Sequence, residues 1–122
     1  MTLNETLESC RKIKPNRFDD ATLIGWVADL EQLIIDDIFS SLASPPVEEF
    51  ERYTVETPRS QKLLVPEPYA DVYLHYLFAQ IDYNNSEIGK YANSRLMFDA
   101  AWSRCFKYFV RRFSAKKRQW VF

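Results

Sequence analysis

Apolar positions along this chain recur at helical rather than strand spacing, and caps and prolines mark the breaks between the runs. Leu3, Leu7, Cys10 and Ile13 fall three to four residues apart behind a Thr2-x-x-Glu5 capping box, and Pro15 forbids continuation, so the pattern predicts a helix over 3–14. Asn16 to Asp20 reads as a turn in which Asp19 or Asp20 caps the next helix. That second helix is predicted over 20–42, with Leu23, Trp26, Val27, Leu30, Leu33, Ile34 and Ile38 on its apolar face. Asp29, Glu31, Asp36 and Asp37 are assigned to the opposite, solvated side. Ser44-Pro45-Pro46 stops it.

Residues 43–66 lack such a period and carry Pro45, Pro46, Pro58 and Pro66 together with Glu48, Glu49, Glu51 and Glu56. A connection this long is usually functional or disordered, and mobility in the free chain is the expectation. Two stretches within it, Phe50 to Val55 and Lys62 to Val65, hold β-prone residues that can add a short hairpin or pair with a neighbouring chain. Pro66-Glu67-Pro68 then supplies a stiff start to a third helix over 69–83, apolar almost all round from Val72 to Ala79. Asn84-Asn85-Ser86-Glu87 makes a tight turn into a fourth helix over 86–112, roughly 40 Å long at ~1.5 Å per residue. Its stripe is Phe98, Ala101, Trp102, Cys105 and Phe109, widened by Phe106, Val110 and Phe113. So long a helix in so short a chain must project beyond its own core or lie against a neighbour. The expected fold is all-α: a small bundle of about four helices in one domain, 1–113, with a loop at 43–66 and a tail at 114–122.

Composition adds a surplus. Of the 122 residues, 16% are aromatic and only two are Gly, more large rings than a minimal bundle needs, which suggests that some face another subunit. Charge adds an asymmetry that the net value of −1 hides: all 17 acidic residues lie at or before Asp99, whereas Arg104, Lys107, Arg111, Arg112, Lys116, Lys117 and Arg118 follow it with no acid among them. A basic end points to an acidic partner, although cations also suit a helix C-terminus. The start of the chain has no basic and apolar leader pattern, and no stretch approaches the roughly 18 apolar residues of a membrane span; use in solution is expected.

Candidate chemistry is sparse. Cys10 and Cys105 sit in helical patterns without Cys-x-x-Cys or Cys/His spacing, so they read as buried thiols rather than zinc ligands or a redox pair. His75 lies between Leu74 and Tyr76 without a nucleophile or an orienting partner in any known arrangement. The pairs Asp19-Asp20 and Asp36-Asp37 point about 100° apart on a helix and read as a cap and a solvated face. No catalytic, cofactor or metal site is expected, and the chain is read as a non-enzyme.

The segment Leu63-Leu64-Val65-Pro66-Glu67-Pro68-Tyr69-Ala70-Asp71-Val72-Tyr73-Leu74-His75-Tyr76-Leu77, with Ala79 to Asn85, Glu87, Tyr91 to Ser94 and Met97 to Trp102, resembles the head-tail connector (adaptor, head completion) proteins of phages and prophages of Gram-positive bacteria. With the Lys14-Pro15-Asn16 turn, the likeness covers most of the chain. It implies a helical subunit that assembles into a ring, commonly twelvefold, below the portal and joins the DNA-filled head to neck and tail. The implied partners are further copies, the portal protein, and a stopper or tail protein, with non-specific contact to genomic DNA; the implied place is the phage neck, or the host cytoplasm during assembly. Physical reasoning adds candidate contacts. Arg111, Arg112, Lys116, Lys117, Arg118, Trp120 and Phe122 are candidates to dock on the portal or face DNA, and Glu48, Glu49, Glu51, Tyr53 and Glu56 to meet the next neck protein. The tail has no residue-by-residue match to the family. The alternative reading is a small phage-encoded helical nucleic-acid-binding or regulatory protein.

Overall fold

In the computed structural model, which describes residues 1–113, the capping box forms as written. Thr2 Oγ1 accepts the Glu5 N–H at 3.2 Å, Glu5 Oε1 accepts the Thr2 N–H at 2.8 Å, and α1 runs Leu3–Ile13. Helix α2 spans Asp20–Asp37, and of the two candidate caps it is Asp19 that accepts the Thr22 N–H, at 2.9 Å. Asp20 instead takes Arg11 at 2.7 Å and Arg59 at 3.3 Å. The expected 20–42 helix is shorter than its apolar pattern: after Asp37 it tightens into a 3-10 turn, Phe39–Ser41. The serines there explain the change, because the hydroxyls of Ser40 and Ser41 donate to the carbonyls of Asp36 and Ile38 and compete with continued helix.

Helix α3 covers Asp71–Asn84, beginning two residues later than expected because Pro66 to Ala70 forms successive turns, with Tyr69 N–H on Pro66 O and Val72 N–H on Tyr69 O. The Glu67–Pro68 peptide is cis. Helix α4 covers Ile88–Phe113. Between them Ser86 sits at φ 58°, and its N–H bonds Tyr83 O while Glu87 N–H bonds Asp82 O. This is the Schellman end of α3, with serine where glycine is favoured. Replacing the exposed Ser86 with Gly is therefore expected to raise stability by up to about 1 kcal/mol, read as a higher midpoint in urea unfolding.

Helices α3 and α4 form an antiparallel hairpin, and α1 and α2 close its other side. The core joins Leu3, Leu7 and Cys10 of α1, Leu23, Val27, Leu30 and Ile34 of α2 with Ile38 just after it, Tyr73, Leu77 and Ile81 of α3, and Phe98, Ala101, Cys105 and Phe109 of α4. Both cysteines are fully buried, and burial pushes the thiol of Cys10 up to about 11 and that of Cys105 up to about 12.

The hairpin suggested for the 43–66 connection does not form: among the described residues the single β-contact is an isolated antiparallel bridge, Thr2 with Lys62. Lys62 lies beside the N-terminus because α1 begins with N–H groups that lack intrahelical partners. The Leu3 N–H reaches Gln61 O at 2.8 Å, the Asn4 N–H reaches Arg59 O at 2.9 Å, and the Leu63 N–H returns to Met1 O at 3.1 Å. Tyr53, Leu63 and Val65 are buried, so the connection is packed where the sequence suggested a loose loop.

Candidate assembly surface

Two buried carboxylates hold the surface elements in place. Glu31, assigned from sequence to the solvated face of α2, is fully buried. Its Oε2 accepts the Tyr53 hydroxyl and the Leu64 N–H, each at 2.9 Å, and its Oε1 accepts the Tyr73 hydroxyl at 2.6 Å. The Tyr73 oxygen in turn accepts the Val65 N–H at 2.8 Å. One side chain thus ties α2 to α3 and to both ends of residues 53–65. Burial raises the Glu31 carboxyl above its ordinary value, against three hydrogen bonds that favour its ionised form. Desolvation and the adjoining Glu31 charge also raise the Tyr53 and Tyr73 hydroxyls. The second carboxylate, Asp82, accepts Lys14 Nζ at 2.8 Å and the Ser94 hydroxyl at 2.6 Å, pinning the end of α1 to α3 and α4.

Tyr53 is accordingly corrected as a contact residue: it faces inward to Glu31. The four glutamates predicted beside it remain on the surface. Glu48, Glu49, Glu51 and Glu56 are exposed, and among the described residues none forms an ion pair; nor do Asp36 and Asp37. Nearby cations are committed elsewhere, as with Arg52 on Asp29 at 2.9 Å. A groove of about 570 Å³ lies in this acidic region, floored by Ile35, Phe39 and Leu42, walled by Ala43, Pro45 and Val47, and rimmed by Asp36, Ser40 and Glu48.

The opposite sign collects at the end of α4. Arg104 is used by Asp71 at 2.9 Å, but Lys107, Arg111 and Arg112 are exposed without an ion pair among the described residues; Arg112 lies over the Phe113 ring, 5.9 Å from its centroid. Lys116, Lys117, Arg118, Trp120 and Phe122 lie outside the described residues.

Helix α4 buries one face and bares the rest. Ser94, Phe98, Ala101, Cys105 and Phe109 turn inward at steps of three and four. Beyond the start of α3 the helix is held by rings: Phe109 meets Phe39 edge-on at 4.8 Å, and Tyr108 stacks on Tyr69 at 4.7 Å. Phe106, expected to widen the buried stripe, is 39% exposed. Half-buried Trp102 lies on the same side one turn earlier, where it lines a cleft with Leu33 and Asp37 of α2. Leu96 and Met97 are exposed on other faces.

His75 places Nε2 3.6 Å from the Asp71 carboxylate and its ring against Phe78. Among the described residues no three His, Cys, Asp or Glu side chains are grouped to hold a metal ion, and no helix is long and apolar enough to cross a membrane. No known protein family, curated protein or solved structure matches this chain.

Proposed function

We propose that this chain is a head-tail connector subunit that assembles head to tail into a ring below a phage portal, and that the ring joins the DNA-filled head to the neck. The observation that carries the reading is the separation of unpaired charge in the folded chain. Among the described residues Glu48, Glu49, Glu51 and Glu56 stand without cations and Lys107, Arg111 and Arg112 without acids, and the outer side of α4 carries exposed Phe106 beside half-buried Trp102. A ring needs two different, complementary patches on each subunit, and apolar area with charge of opposite sign is the chemistry such patches require. The basic end of α4 with the tail then faces the portal or the DNA, and the acidic connection faces the next neck protein.

The same cations support a second reading, a helical nucleic-acid-binding protein, because Lys and Arg bind phosphate without regard to sequence. Parallel pull-downs with portal protein and with duplex DNA separate the two. For a connector, replacing Trp120 and Phe122 with Ala lowers portal capture more than replacing Lys116, Lys117 and Arg118 with Gln. For a DNA binder the order reverses and binding falls steeply with salt. Portal capture that survives deletion of 114–122 would exclude tail docking.

A further inference from the structure

We infer that the side of α4 carrying Trp102 and Phe106 packs on the opposite side of α4 in the next copy of this chain, where Met97, Ala100 and Lys107 stand exposed. The inference rests on the ring reading and names the contact between its subunits. At ~100° per residue, Phe106 and Met97 point about 180° apart around the helix, and Trp102 and Ala100 about 160° apart. One helix therefore offers two opposed stripes. Neither belongs to its buried face, which is made of Ser94, Phe98, Ala101, Cys105 and Phe109.

The two stripes are complementary in shape and charge. On the first, Phe106 projects from the surface, and half-buried Trp102 lines a cleft with Asp37 and Leu33 of α2, the latter 37% exposed. On the second, Met97 is 47% exposed, and Ala100, one turn further on, is small enough to leave room for a ring beside it. Most charges nearby are already matched, Arg95 with Asp99 at 3.1 Å and Arg104 with Asp71 at 2.9 Å. What remains is Asp37 on the first stripe and Lys107 on the second, each exposed and without an ion pair among the described residues. Either stripe packed on itself brings like charges together, whereas the first packed on the second brings opposite charges together. That contact is heterologous, as ring closure demands, and every subunit repeats it. The unpaired acid beside the rings also disfavours DNA as their cover. Arg111, Arg112 and the glutamates of the connection stay free for the contacts proposed above.

The test is sedimentation of the full chain over a range of concentrations, with one variant blocking each stripe. Phe106→Glu and Ala100→Glu both change exposed positions, and their circular dichroism and urea midpoints should match wild type. Wild type should associate beyond the dimer, and each variant alone should stay monomeric. Mixed together, the two should form a one-to-one pair, because each keeps the stripe that the other lacks. Asp37→Lys should weaken wild-type association about tenfold, and adding Lys107→Glu to it should restore most of that loss. Wild-type association indifferent to both stripe variants would overturn the inference, as would a dimer that stops at two. A wild-type chain that stays monomeric at every concentration would overturn it too; if that chain still adds to a portal ring, the connector reading stands without this contact. Association through both stripes with no mass added to a portal ring would uphold the contact and remove the connector reading.

Discussion

Glu31→Ala is expected to destabilise the chain by about 3–5 kcal/mol, because it orphans two buried hydroxyls and a part-buried N–H at about 1–3 kcal/mol each. The donors are the buried hydroxyls of Tyr53 and Tyr73 and the part-buried Leu64 N–H. Against a typical total of about 5–15 kcal/mol, much of the folding free energy is removed. Glu31→Gln is expected to cost less: its oxygen still accepts, but its amide nitrogen faces a donor on one side. The two variants also differ from wild type in pH dependence. Burial raises the Glu31 carboxyl above 4.5, so the folded state holds this proton more tightly than the unfolded state. Its contribution is fully present below about 4.5 and falls as pH rises through the higher folded value. Urea unfolding across that window should show the loss in wild type and a flatter profile in Glu31→Gln. An unchanged midpoint for Glu31→Ala would mean that the network does not hold the connection.

Phe109→Ala is the second large effect expected, about 3–5 kcal/mol for a buried aromatic at a site that cannot collapse. Phe109 is 2% exposed and touches Tyr108 at 5.0 Å and Phe113 at 5.9 Å within α4, and its 4.8 Å contact with Phe39 fixes α4 where it runs past α3. The informative comparison is Phe106→Ala, three residues earlier and 39% exposed. That variant should lie within about 0.5 kcal/mol of wild type in unfolding. It should nonetheless weaken assembly, since an uncovered ring contributes more to a partner than to its own core. Equal destabilisation by the two would place Phe106 in the core and remove it from the surface described above.

Most of the helical frame was legible because caps and prolines act locally: Thr2 with Glu5, Asp19 with Thr22, and the Asn84 to Glu87 turn each follow from neighbours in sequence. What escaped depends on distant partners. Residues 59–63 meet the N-terminus through orphan N–H groups of α1, which no local pattern reveals. Glu31 was misread by its charge, yet a signal was present: Val27, Ala28, Ile34, Ile35 and Ile38 surround it at helical spacing, so its position is apolar on every neighbouring turn. The candidate contacts divide similarly. Glu48, Glu49, Glu51 and Glu56 are on the surface as their charge suggests, whereas Tyr53 turns inward because a buried carboxylate needs its hydroxyl. The groove was not legible at all, because it arises where the 3-10 turn at Phe39–Ser41 meets Pro45, Val47 and Glu48 of the connection.

The connector proposal is tested most directly by the mass of the purified chain with and without a phage portal protein from the same source, measured under native conditions. The proposal predicts that the 14.5 kDa chain adds to the portal ring in fixed stoichiometry, one copy per portal subunit. A portal ring whose mass is unchanged at saturating chain, with the chain still at 14.5 kDa, would contradict it.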